Sequence, residues 1–243
     1  MSATSSTTST ARRDLARTLV SHLDAAVRDE SFIVGARVRR LEEYVCEVTG
    51  RSAVGVSSAA VGLLLVRQEQ FGGAPSALAP DAGGRARSIV AAERRLVQRA
   101  SVLWQGGRRP EGAVLVRDFG SGAEAGPGAA GIVELIDVRQ LGLLDAGERS
   151  TAEALPGGGG ERSAADALVV HGPHDYSYGA GDFGIVVCAE PVAERLRVLR
   201  NHGRGGLGTY LHAEVGFNNR MDEAQAGLLL DRLTGTGTGA VTR

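Results

Sequence analysis

The chain has 243 residues, of which 43% are hydrophobic, and its formal net charge is −1. These values predict one large domain with its own core and argue against a general nucleic-acid or anionic-membrane surface. The sequence also has no run of about 18 apolar residues that could cross a bilayer. We therefore expect a soluble, cytoplasmic protein that binds neither nucleic acid nor membrane.

All 27 basic residues counted as Lys+Arg are arginines, so the sequence contains no lysine. The two cysteines, Cys46 and Cys188, provide neither a disulfide framework nor a spacing of ligands that a metal could use. We predict no metal site, and we interpret both cysteines as buried, small apolar side chains.

Composition divides the chain into three parts. Residues 1–12 are rich in Ser and Thr and predict a disordered tail, and residues 234–243 are a Thr/Gly repeat that predicts a flexible end. Residues 13–233 form the predicted domain. Its first helix covers residues 14–28, where Leu or Val recurs every fourth position, and a second helix ends near Gly50.

Residues 53–65 are typical of a short strand that turns into a helix. The start of such a helix exposes free amides, which makes Ser58 a candidate anion ligand. The alternative is that Ser57 or Ser58 is only an N-cap. A further helix is predicted over 88–103, but residues 68–112 suggest no function, and Trp104 is interpreted as a packing residue.

The rest of the chain alternates strands with helices. Strands are predicted at 113–120, 132–140, 167–170 and 184–188, and helices at 191–200 and from Met221 onward. The carboxyl end of the strand at 132–140 carries Asp137 and Gln140. This order predicts an α/β fold with a mostly parallel sheet and helices on both faces. Ligands should then bind beyond the carboxyl ends of the strands.

Two stretches carry recognisable motifs. Residues 173–184 end in Gly-Asp-Phe-Gly, and residues 199–226 contain Leu-Arg-Asn-His-Gly followed by Gly-Phe-Asn-Asn-Arg-Met-Asp-Glu-Ala-Gln-Ala. Both resemble the DegT/StrS-type sugar aminotransferases, which are fold type I enzymes dependent on pyridoxal phosphate (PLP). The resemblance covers about residues 30–65 and 113–233. It implies the large domain of that fold, with the small C-terminal domain missing.

The resemblance places Asp175 where the family has the lysine that forms the Schiff base, and His174 where it has threonine. An internal aldimine is therefore impossible. Arginine cannot replace the lysine because its guanidinium group stays protonated and is a poor nucleophile.

The resemblance also implies four cofactor contacts. Ser58 would bind the cofactor phosphate, Asp137 with Gln140 would face the pyridinium nitrogen, and Asn218 would reach the phosphate site of a neighbouring subunit. Ala59 and Ala60 replace the family's Gly-Thr pair and remove a hydroxyl donor. We expect PLP to bind noncovalently at most.

Three functional interpretations remain open. The favoured one is a non-transaminating enzyme or subunit in sugar or natural-product biosynthesis, with His174 and Asp175 as general acid and base. The others are an inactive structural or regulatory partner of an active family member, and a truncated relic. We expect a homodimer or a heterodimer with a family member, formed through residues 216–220, and a nucleotide sugar or another small molecule as ligand.

Overall fold

A computed structural model describes residues 3–100, 112–124, 128–145, 165–173, 178, 181–205, 212 and 214–235. The side chains of residues 3–12, 99–100 and 142–145 are not described. His174, Asp175 and Trp104, on which three of the sequence predictions rest, lie outside the described residues.

Six strands form one sheet in the order β1-β6-β5-β4-β3-β2. Their bounds are β1 Ser52–Val56, β2 Ser76–Leu78, β3 Val114–Asp118, β4 Gly131–Asp137, β5 Ala167–His171 and β6 Gly184–Cys188. Strand β6 runs antiparallel to both of its neighbours, and the other paired strands are parallel. The predicted mostly parallel sheet is therefore confirmed.

Helices cover both faces of the sheet, as predicted. Their bounds are α1 Ala3–Arg28, α2 Ala36–Thr49, α3 Ala59–Phe71, α4 Gly84–Ala100, α5 Val138–Asp145, α6 Glu190–Arg200 and α7 Glu223–Thr234. The core on one face joins the sheet to α3, α4 and α6. The core on the other face joins it to α2, α5 and α7. Alternate strand residues supply the two cores because successive strand side chains point to opposite faces.

Helix α1 is longer than the sequence pattern predicts. It begins at Ala3, within the stretch for which the Ser/Thr-rich composition predicts a disordered tail. No Gly or Pro interrupts residues 3–28, so a helix anchored further along can extend backward through residues of modest helix propensity. The anchor is α7, where Asp231 Oδ2 lies 2.8 Å from His22 Nε2.

The prediction that both cysteines are buried is confirmed for Cys188 and wrong for Cys46, which is exposed. Helix α2 buries Val38, Leu41 and Val45. One residue further along a helix turns the side chain by about 100°. Cys46 therefore points away from the core although it follows a fully buried valine.

Strand β1 lies at an edge of the sheet, and side chains bind its outward peptide groups. The Gly55 N–H donates to Glu42 Oε1 at 2.8 Å, and Arg200 Nη1 donates to Gly55 O at 2.5 Å. Arg200 and Glu42 also form a buried ion pair. Arg197 Nη2 donates to Ala53 O at 3.3 Å. The edge is thus closed by charged groups of α2 and α6.

Within the described ranges, no helix has the length and apolar character needed to cross a membrane. The same residues contain no group of three or more His, Cys, Asp or Glu side chains that could hold a metal ion.

Candidate functional site at the strand ends

Three neighbouring parallel strands end in ionisable residues. Asp118 ends β3, Asp137 ends β4 and His171 ends β5. Asp137 and His171 are direct partners in the sheet register. The residue two positions before each of them belongs to the core that packs under α3 and α4. Because side chains two positions apart in a strand point to the same face, all three ionisable side chains lie on that face. This is the place where an open α/β sheet binds its ligands.

His171 is the most deeply buried of these groups, with 5% of its surface exposed. Its Nδ1 lies 3.0 Å from Gly172 O. Because a carbonyl can only accept, the neutral ring carries its proton on Nδ1 and presents Nε2 as an acceptor. Burial lowers the pKa of His171, and although Asp137 and Asp118 act against that effect, the net pKa lies below the ordinary value. A neutral imidazole at this position can accept a proton near neutral pH.

Asp137 is already paired within the chain. Arg139 donates from its backbone N–H and from Nε to Oδ1, at 3.0 and 2.9 Å, and from Nη2 to Oδ2 at 2.7 Å. Gln140 Oε1 accepts the N–H of Asp137 at 3.0 Å, so it closes the turn between β4 and α5. Burial raises the pKa of Asp137, but the hydrogen bonds and charge of Arg139 outweigh it, and the net pKa is lowered.

Two charged side chains, Asp118 and Arg85, make contacts at the start of α4. Asp118 Oδ2 accepts the Gly83 N–H at 2.6 Å, immediately before the helix begins. Arg85, in the first turn, places Nη2 3.2 Å from Asp182 Oδ1. Asp182 belongs to the Gly-Asp-Phe-Gly motif, so this contact ties the motif to α4. Arg85 also acts on the pKa of His171, which it lowers.

Ser58 lies directly after β1 and begins α3. Its Oγ accepts the Val61 N–H at 3.2 Å, so Ser58 is the N-cap of α3. Ala59 and Ala60 are buried in the first turn. The start of β6 passes close to this turn, since a Cβ on Gly184 would lie 2.5 Å from Ser58 O.

Asn218 lies on a segment that returns to the same region of the chain. The backbone N–H of Ser57 donates to Asn219 O at 3.1 Å, and Arg220 bridges to Val56 at the end of β1. The Asn218 side chain is exposed, and its Oδ1 accepts from Arg220 Nε at 2.9 Å. The loop therefore runs beside the start of α3 in its own subunit.

The structure thus places Ser58, Asp137 and Gln140 at the predicted edge of the sheet, with Asn218 on an adjoining loop. His174 and Asp175 fall between the described residues Pro173 and Tyr178. The sequence analysis missed His171, Asp118 and Arg85. A signal for the first two was present, because each follows closely on an apolar run, residues 113–116 for Asp118 and residues 167–170 for His171.

A separate groove of ≈ 780 Å³ runs along the β1 edge between α2 and α6. Its lining includes Glu42, Cys46, Ser52, Arg197, Arg200 and Arg220. None of the predicted site residues that the structure describes lines it. The groove is therefore separate from the group of Asp118, Asp137 and His171 at the strand ends.

Part of the chain matches a known protein family. Residues 165–239 match the model of the DegT/DnrJ/EryC1/StrS aminotransferase family. The chain is 53% identical over 51 residues to a UDP-N-acetyl-3-dehydro-alpha-D-glucosamine 3-aminotransferase of Acidithiobacillus ferrooxidans. It is 50% identical over 54 residues to a dTDP-3-amino-3,4,6-trideoxy-alpha-D-glucose transaminase of Streptomyces venezuelae. These matches cover 21% and 22% of this chain and 13% and 14% of the two relatives.

The fold matches over a longer stretch. A DegT DnrJ EryC1 StrS aminotransferase from Brucella abortus superposes with a TM-score of 0.58 at 18% identity. The match covers 92% of this chain and 65% of that protein, so the chain spans less than two thirds of its length. The predicted resemblance is confirmed, and the chain is related to the DegT/DnrJ/EryC1/StrS aminotransferases in the sequence of residues 165–239 and in fold.

Proposed function

We propose that this protein is a non-transaminating relative of the nucleotide-sugar aminotransferases, working as an enzyme or a subunit in sugar or natural-product biosynthesis. One observation carries the proposal: the sequence has no lysine, and Asp175 stands where the family lysine would be. A Schiff base needs an amine that can lose its proton, and none of the 27 guanidinium groups can supply one.

The described residues fit PLP poorly. Both oxygens of Asp137 accept hydrogen bonds from Arg139, so a pyridinium nitrogen would have to compete with that guanidinium group for the carboxylate. The Ser58 hydroxyl accepts the Val61 N–H and keeps its own O–H as a donor, but the buried Ala59 and Ala60 offer no further hydroxyl to a phosphate. We therefore expect any binding of PLP to be weak and noncovalent.

The proposed chemistry is proton transfer at the strand ends. His171 would accept a proton at Nε2, and Asp137 and Asp118 would stabilise the imidazolium that results. His174 and Asp175 follow His171 by three and four positions in the sequence and remain the predicted acid and base. The related proteins are named for UDP- and dTDP-linked sugars, which makes such nucleotide sugars the first ligands to test.

The deciding experiment is borohydride reduction of the PLP-treated protein, followed by peptide mass spectrometry. We expect no stoichiometric pyridoxyl adduct on an internal side chain, and labelling confined to the α-amine of residue 1. A lysine-containing family member, treated in parallel, is the control that must give an internal adduct. A stoichiometric internal adduct on this protein would refute the proposal.

Ligand binding is measured separately. Calorimetric titration with UDP- and dTDP-hexoses should give a signal that His171→Gln weakens or removes. If neither nucleotide sugar binds the unmodified protein, the proposal that it is an enzyme fails. The proposal that it is a subunit is then left.

A further inference from the structure

One ion pair crosses the edge of the sheet at which the strand-end residues lie. Arg85 belongs to α4, whose start is tied to Asp118 at the end of β3. Asp182 comes just before β6, which begins beside the end of β5, since Gly184 pairs with His171. Strands β4 and β5 separate β3 from β6, a distance of about 14 Å at the usual strand spacing. The contact between Arg85 and Asp182 therefore spans the ends of β4 and β5.

Asp182 holds Arg85 only weakly. The contact is a single hydrogen bond of 3.2 Å from Arg85 Nη2 to Asp182 Oδ1, and the two side chains are 26% and 51% exposed. Water competes for an exposed pair of this kind, so it contributes little to stability. In contrast, Arg139 donates three hydrogen bonds of 2.7–3.0 Å to Asp137. An anion that enters the site can therefore displace Asp182 from Arg85 more easily than Asp137 from Arg139.

Arg85 also has a donor that is not used. Its Nε is buried and, among the described residues, has no hydrogen-bond partner. In a guanidinium group, Nε and one terminal nitrogen form a fork that fits two oxygens of one anion. Arg139 holds both oxygens of Asp137 with Nε and Nη2 in this way. An anion with two oxygens can accept from Nε of Arg85 and take the place of Asp182 at Nη2.

We propose that Arg85 binds a phosphate group of the ligand at the strand ends, and that this phosphate replaces the carboxylate of Asp182. The inference rests on the proposed function for the position of the ligand, and it adds which part of the ligand is recognised. A nucleotide sugar carries a diphosphate, whose oxygens suit the fork of a guanidinium group.

A phosphate at this position would also act on the proposed base. Burial lowers the pKa of His171, and the charge of Arg85 lowers it as well, whereas Asp137 and Asp118 act in the opposite direction. A phosphate bound to Arg85 offsets the positive charge of the guanidinium group. The bound ligand would thus make His171 a stronger proton acceptor.

The test is calorimetric titration of the full chain and of three variants with two probes, inorganic pyrophosphate and a UDP-hexose. Arg85→Gln should raise the Kd of both probes about tenfold or more, because it removes a charged donor. Asp182→Asn should lower both Kd values, because it removes the carboxylate that competes with the phosphate. A pair that served only to hold α4 against the motif would not give these opposite effects. Arg95→Gln removes the same charge from an exposed position further along α4 and should leave both Kd values unchanged.

The two probes separate this inference from the proposed function. If the UDP-hexose binds but Arg85→Gln leaves its Kd unchanged, or Asp182→Asn raises it, the inference is wrong and the proposed ligand stands. If pyrophosphate binds with the opposite effects and the UDP-hexose does not bind, Arg85 is an anion site and the proposal of an enzyme for nucleotide sugars fails. If neither probe binds, both are wrong. Circular dichroism of each variant separates lost binding from lost folding.

Discussion

Gly184 has no side chain at the point where β6 passes closest to the start of α3. A Cβ there would lie 2.5 Å from Ser58 O and 2.9 Å from Ala59 Cα, and both atoms belong to the backbone. The neighbouring turn cannot yield by rotating a side chain. The last glycine of the Gly-Asp-Phe-Gly motif is thus a packing requirement of this fold.

We predict that Gly184→Ala destabilises the protein by about 1–3 kcal/mol, the usual cost of forcing an extra methyl group into a packed interior. Gly181→Ala, in the same motif, is the matched control, because a Cβ there meets nothing within 4 Å. Urea denaturation of both variants gives the comparison. Equal stabilities would show that the turn at Ser58 can move.

His171 predicts a pH dependence of stability. Its pKa is lowered by burial, so the folded state takes up a proton at lower pH than the unfolded state, whose ordinary value is 6.5. As the pH falls below about 6.5, the unfolded chain binds a proton that the folded chain does not, and stability is lost. Above that value both states are neutral and the effect disappears.

We compare the free energy of unfolding of the unmodified protein with that of His171→Gln. The unmodified protein should lose its advantage over the variant as the pH falls below about 6.5. Denaturant titrations between pH 7 and pH 5 measure it. A difference that stays constant with pH would mean that the ring is protonated to the same extent in both states.

At the scale of elements, α3 and α4 are joined by a buried ion pair. Arg67 Nη2 lies 2.8 Å from Glu93 Oε1, and the two side chains are 5% and 1% exposed. Arg67 Nη1 also donates to Gly73 O at 2.8 Å, which holds the loop after α3. Burial raises the pKa of Glu93, although Arg67 opposes that shift.

We predict that Arg67→Met costs about 3–5 kcal/mol, because it leaves an unpaired buried carboxylate. Arg67→Met combined with Glu93→Leu should recover much of that loss, since it removes both charges. Arg40→Met breaks an exposed pair with Glu43 on α2 and should change stability by less than about 1 kcal/mol. If Arg67→Met were equally mild, the α3–α4 pair would contribute little.

The elements themselves were largely predictable because their signals are local. The apolar run of β5 and the glycine after α2 indicate a buried strand and a helix end without reference to the rest of the chain. Gly50 indeed closes α2 with φ of 66°, a left-handed conformation that favours glycine. The antiparallel direction of β6 was not predictable, since residues 184–188 encode a buried strand and nothing about its direction.

The candidate site was predictable only where position in a strand decides it. Asp137 was expected at a strand end and lies there. Its pairing with Arg139 depends on how α5 begins, which no periodicity encodes. His171 was not predicted because the apolar run ends at Val170, and a histidine after such a run is as typical of a loop as of a strand end.

For the whole molecule, the closed edge at β1 has a consequence for solubility. An open edge strand presents unpaired N–H and C=O groups to which another chain can add its own strand. Here Glu42 accepts the N–H of Gly55, and Arg200 donates to its carbonyl oxygen. Arg197 donates to the carbonyl oxygen of Ala53. A second sheet cannot grow from this edge until those side chains leave. The ion pair that lines the groove therefore also protects the folded protein against edge-to-edge aggregation.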